Sequence, residues 1–166
     1  DELLGVAIVT YPVAGRGHRA SSFVFAEDGS CLLASRDRLG LINGGLLDVT
    51  GNGLAEKVVC FIEEDREYST TRPPDRCQVY AFPENGSRRK ILDFLYNLES
   101  SQSRENYLDV VVTPQPGRTY AAISLVRPLA GDEVVRFTWD EVTSQFHVIE
   151  PQQGPGFGSE NWRLVE

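Results

Sequence analysis

Methionine is absent from this 166-residue chain, histidine and tryptophan each occur twice, and cysteine occurs three times. A chain without methionine does not open on a start codon, so a segment ahead of Asp1 is expected, and a cleaved secretory leader would supply one. The cysteines, Cys31, Cys60 and Cys77, are odd in number and include no Cys-x-x-Cys pair. Cys60 and Cys77 flank a charged, proline-bearing loop. In an oxidising compartment one disulfide would join them; in the alternative all three thiols are small buried hydrophobes.

Other absences narrow the function classes. No apolar run approaches the ~20 residues that a membrane-spanning helix needs. Sixteen basic residues stand against twenty-four acidic ones, a net charge of −8, and no basic stripe interrupts that excess. Such a surface repels phosphate backbones, which argues against nucleic acid as a partner and favours cations or a basic protein. There is no His-x-Glu-x-x-His pairing and no phosphate loop. Gly15-Arg16-Gly17-His18 lacks the strand–glycine–helix setting of a dinucleotide fingerprint. His18 and His147 lie far apart, and Glu63-Glu64 sits within a solvated charge run.

What the chain does contain is short strands. A hydrophobic share of 41% and a charged share of 24% are ordinary for a folded domain, and the length fits one. Leu4 to Tyr11 is aliphatic and β-branched until Pro12. Phe23 to Ala26 and Cys31 to Leu33 flank Glu27-Asp28-Gly29-Ser30 as a hairpin. A second hairpin is expected from Gln78 to Phe82 and Lys90 to Phe94, where Asn85-Gly86 reads as a turn rather than as the start of a glycosylation sequon. A third joins Val134 to Trp139 with Gln145 to Ile149 near Thr143-Ser144. Val110 to Val112 and Ala121 to Val126 add strands between, and Leu164-Val165 a last short edge strand. Phe137 and Trp139 share one strand face and are expected in the core, whereas His147 is expected at the solvent. From Ile91 to Leu98 the apolar residues fall at 91, 92, 94, 95 and 98, a helical spacing that predicts one short helix near 91–99 after the second hairpin, with the first part remaining strand.

The hairpins recur. Gly29 and Gly86 lie 57 positions apart, and Thr143 lies another 57 further on. Each follows an apolar strand, which suggests three degenerate repeats over about 1–47, 48–100 and 101–150, with a C-terminal tail. The expected fold is therefore all-β, with antiparallel hairpins in a compact sandwich or an incomplete propeller-like array within a single domain, 1–166.

One loop carries a chemical signal. In Asp48-Val49-Thr50-Gly51-Asn52-Gly53-Leu54-Ala55-Glu56, oxygen-bearing side chains stand at the first, third, fifth and ninth positions, and glycine at the sixth permits a sharp bend. The Leu54 carbonyl at the seventh could add another oxygen. Calcium takes six to eight oxygens from a loop able to curl around it. An EF-hand would need a carboxylate at the twelfth position, where Val59 stands, and a helix rather than the β-branched run that follows. The loop and its strand instead resemble the calcium loop of FG-GAP repeats, the integrin-like propeller repeat. Thr50 and Asn52 replace the usual aspartates, so the resemblance implies a calcium site of low charge and weak affinity, with Asp48, Thr50, Asn52, Leu54 and Glu56 as ligands. A decayed second copy would lie at Ser103 to Asp109. The alternative is a tight turn in which Asp and Asn satisfy backbone donors without metal.

Aromatic residues in predicted loops supply the partner reading. Tyr68, Tyr120 and Trp162, with Arg118, are expected to anchor a protein or stack on a glycan. The turn Pro116-Gly117-Arg118-Thr119-Tyr120 is similar to the glycine–tyrosine loop of bacterial periplasmic lysozyme inhibitors, though it lacks their usual serine. The expectation is a non-enzymatic secreted or periplasmic binding module with a calcium-stabilised loop, contacting a protein or glycan. The alternatives are an inhibitor of a secreted hydrolase such as lysozyme, and a glycan-processing enzyme.

Overall fold

Runs of β-branched and aromatic residues separated by Gly, Pro, Asn and Asp favour strands over helices, and the described residues follow that preference. The computed structural model describes residues 5–13, 17–37, 46–62, 74–83, 88–98, 107–115, 121–149 and 161–165. These hold twelve strands in three antiparallel sheets that do not close into a barrel, and among the described residues there is no α-helix. None of their elements is long and apolar enough to cross a membrane as a helix.

Sheet A is a meander of β1 (Gly5–Val13), β2 (Gly17–Phe25) and β3 (Cys31–Asp37). Sheet B contains β4 (Leu46–Leu47), β5 (Glu56–Ile62), β6 (Asp75–Ala81) and β7 (Arg89–Tyr96). Sheet C contains β8 (Asp109–Pro114), β9 (Ala121–Arg127), β10 (Asp132–Asp140) and β11 (Gln145–Ile149). The final strand, β12 (Trp162–Leu164), returns to the edge of sheet B beside β7. Strand β1 runs through Pro12 instead of stopping there, because it lies at a sheet edge where a missing N–H breaks no ladder.

Sheet B lies between the other two. One of its faces presents Val58, Cys60, Cys77, Val79, Leu92, Phe94 and Tyr96 to Val110, Ile123, Leu125, Val135 and Phe137 of sheet C. Phe94 stacks on Phe137 at 4.6 Å between ring centroids, and Trp162 meets Phe137 edge-on at 5.6 Å. The opposite face sets Val59 and Phe82 against Val24 and Leu33 of sheet A, with Phe61 and Tyr80 packed around them.

That double covering explains the departure at Ile91 to Leu98. The helical spacing at Ile91 to Leu98 belongs to strand β7, which runs from Arg89 to Tyr96. A strand covered on both faces carries consecutive apolar residues and loses strict alternation, so its pattern mimics a helix. Strand β5 shows the same effect, with Glu56 to Cys60 buried without interruption. Of the three connections spaced 57 residues apart, β6–β7 in sheet B and β10–β11 in sheet C each join the third and fourth strands of their sheet in chain order. Gly29 connects the second and third strands of sheet A.

A side chain ties sheet B to sheet C. Asn97 follows β7 at φ 57°, a left-handed conformation that Asn tolerates better than most residues. Its Nδ2 donates to Asp75 Oδ2 at 2.7 Å and to the Leu108 carbonyl at 3.0 Å, and its Oδ1 accepts the Leu108 N–H at 2.8 Å. The amide thus pairs with Leu108 as a strand residue would, just before β8 begins.

Candidate functional site

The loop from Asp48 to Glu56 joins β4 to β5 and packs against sheet C. The Asp48 carbonyl accepts the Ala121 N–H at 3.1 Å, so the loop is fixed to the first residue of β9. Val49 is fully buried in the core shared by sheets B and C.

Two carboxylates close the loop from opposite sides. Asp48 Oδ1 accepts the Gly51 N–H at 2.6 Å and Oδ2 accepts the Gly53 N–H at 2.9 Å. Gly51 and Gly53 have φ of 78° and 80°, where a side chain would be strained. Asn52 Oδ1 accepts the Leu54 N–H at 2.7 Å. From beneath, Glu56 Oε2 accepts the Val49 N–H at 2.9 Å, and Oε1 accepts the Thr50 hydroxyl at 3.0 Å. Glu56 is 1% exposed and no cation is among these partners. Desolvation pushes its carboxyl up to about 7, opposed by the bonds from Val49 and Thr50 and assisted by the charge on Asp48.

The five oxygens expected around a cation therefore divide. Asp48 is half-buried, and Asn52 and Leu54 are exposed on the solvent side of the bend. Thr50 and Glu56 are turned under the loop and bonded to each other. The outer set has the chemistry for a divalent ion, since each Asp48 oxygen keeps a second lone pair and the Asn52 and Leu54 residues carry carbonyls. It brings one carboxylate to that side where the sequence suggested two. Among the described residues no group of three or more His, Cys, Asp or Glu side chains converges as a metal site.

The remaining expected site residues part company. Trp162 is a correction: it is 7% exposed and buried against Phe137, because β12 pairs Trp162 with the core residue Tyr96. Little of its ring faces solvent. Tyr68, Arg118 and Tyr120 lie outside the described residues, as does the Ser103 to Asn106 portion of the decayed loop.

The strand register adds a surface that the sequence did not single out. Ile123 pairs with Phe137, which brings the start of β9 and the end of β10 to the same end of sheet C as the Asp48 loop. The β10–β11 turn at that end exposes 93% of Val142, and the loop exposes 40% of Leu54. Asp140, His147 and Thr143 cluster on the same hairpin. His147 Nε2 lies 2.9 Å from Asp140 Oδ2 and 3.4 Å from Thr143 Oγ1. Both contacts use one imidazole nitrogen, so the acid does not orient the ring from its other side as a nucleophile–base–acid relay requires. Bonds from the Val142 N–H and Thr143 hydroxyl hold the Asp140 carboxyl below its ordinary range. The cluster shapes a turn.

No protein-family model matches the chain, and neither a known protein nor a solved structure matches it.

Proposed function

We propose that this chain is a non-enzymatic binding module, secreted or periplasmic, whose Asp48–Glu56 loop is stiffened by a weakly held calcium ion. Asp48, Asn52 and the Leu54 carbonyl would hold the ion, while Thr50 and Glu56 support the loop from below. The likeness of the loop to FG-GAP repeats motivates the ion. The observation that supports the reading is the self-closed bend: Asp48 gathers the Gly51 and Gly53 amides as a metal-free turn also does, and an ion would then bind without first ordering the loop. One outward carboxylate implies affinity at the weak end of the calcium range, of order 10⁻⁴–10⁻³ M, as in extracellular modules.

Leu54 on the loop and Val142 on the β10–β11 turn are exposed and would give a protein or glycan apolar contact points. A net charge of −8 favours a basic partner through steering. Thermal unfolding with and without calcium, at constant ionic strength, tests the ion. At about ten times Kd the melting temperature should rise by roughly 3–5 °C. Asp48→Ala should abolish the rise, and magnesium should produce less of it. A wild-type protein indifferent to calcium refutes the ion-binding part.

A further inference from the structure

Cys60 and Cys77 occupy the middle of sheet B and do not belong to the loop. They are directly opposed in the β5–β6 ladder, 1% and 0% exposed, with their sulfur atoms 2.6 Å apart. Directly paired residues on antiparallel strands have Cα separations near 4.5 or 5.5 Å, and both values fall inside the span of a disulfide. The sulfurs need to close by only about half an ångström to reach bonding distance. The sequence left two readings open for these thiols, and the register favours the bridged one.

We propose that Cys60 and Cys77 form a disulfide that staples β5 to β6 at the centre of the sheet. The two thiols lose two protons and two electrons as the S–S bond forms. The electrons pass to a disulfide oxidant, either a small-molecule disulfide or an oxidised thiol–disulfide oxidoreductase. One cysteine attacks the oxidant to give a mixed disulfide and release one thiol. The other cysteine then displaces the second, so that one oxidant disulfide becomes two thiols. Cys31 is exposed on sheet A and is the third thiol, its Sγ donating to the nearby Leu33 carbonyl at 3.5 Å.

Burial fixes the order of events. Neither sulfur is open to a bulky exchange partner once sheet C covers this face of sheet B, so the bond forms before that face closes. After closure the same cover shields it from reductants. The cross-link spans 17 positions and constrains the unfolded chain accordingly. It depends on β5–β6 pairing and not on calcium, so either proposal can fail alone.

The test refolds the reduced full chain in a buffer of oxidised and reduced glutathione. Free thiols are then alkylated in denaturant without reductant, and the intact mass and peptide map are read. The expected product is lighter than the reduced chain by two hydrogens before alkylation, carries one alkylated cysteine at Cys31, and yields a linked Cys60–Cys77 peptide. Dithiothreitol should leave the bond intact in the folded protein and cleave it in denaturant. The oxidised form should melt roughly 6–12 °C above the reduced form. Cys31→Ser should form the same bridge. Three alkylated cysteines in the folded product, or a bridge to Cys31, overturns the proposal. The bridge is read on the wild-type chain, so a Cys60→Ser variant that failed to fold would not obscure the outcome.

Discussion

Two buried carboxylates on sheet B have opposite surroundings. Asp93, 4% exposed on the face toward sheet A, accepts from Arg76 Nε and Nη2 at 2.8 Å each, from Gln78 Nε2 at 3.0 Å and from Lys90 Nζ. Desolvation pulls its carboxyl up, but the bonds from Arg76, Lys90 and Gln78 outweigh it and hold the group below the ordinary Asp value of 3.8. Glu56, 1% exposed, accepts among the described residues from the Val49 amide and from Thr50, all neutral donors, and desolvation pushes its carboxyl up to about 7. Burial raises a carboxyl in both places. The sign of the outcome depends on whether cations or neutral dipoles answer the charge.

Removing the better-paired acid should cost most. Asp93→Ala removes the carboxylate that Arg76 and Lys90 share. Chemical denaturation should show a loss of about 2–3 kcal/mol, below the range for fully buried pairs because both cations reach solvent. A loss no greater than that of an ordinary surface substitution would remove the contrast.

The pH profile should divide the two sites next. Glu56 binds its proton more tightly folded than unfolded, so its contribution is fully present below the unfolded value near 4.5. That contribution is lost as pH rises through the folded value of about 7. Asp93 works in the other direction. Its contribution is present above 3.8 and is lost as pH falls through its lower folded value. Stability measured from pH 3 to pH 8 should therefore fall at both ends. Glu56→Gln should flatten the upper limb and leave the lower one. An unchanged upper limb would show that another group titrates there.

Thr50→Val should produce the smallest change, about 1 kcal/mol, by removing the hydroxyl that donates to Glu56. The upper limb of the pH profile should then move to higher pH, since one bond to the ionised form has gone. A shift to lower pH would contradict the assigned roles.

Much of the strand content was legible because β-branched runs and turn residues alternate. The hairpin around Gly29, the solvent position of His147 and the core position of Phe137 follow from period two and turn chemistry. Strand β7 was legible in part: Lys90 to Phe94 read as the return of a hairpin, but coverage by two sheets erases the alternation that distinguishes strand from helix, so its continuation to Tyr96 read as helical. Trp162 was misplaced for a related reason: a strand returning from the far end of the chain depends on pairing with β7, which local sequence does not encode. In the loop, the spacing of Asp48, Asn52 and Gly53 announced a bend. The inward turn of Thr50 and Glu56 did not show, because it is imposed by the packing of Val49 into the core. A β-branched residue between two oxygen-bearing ones was the available signal for it.

Calcium uptake by the outward-facing bend, already closed by Asp48, is open to observation one amide at a time. A calcium titration followed by ¹⁵N–¹H NMR reads the chemical shifts of the loop itself. Saturable changes should concentrate at Gly51, Gly53 and Leu54, with a dissociation constant of order 10⁻⁴–10⁻³ M, and should be absent in Asp48→Ala. Small, non-saturating shifts spread over the acidic surface would contradict an ion held by this loop.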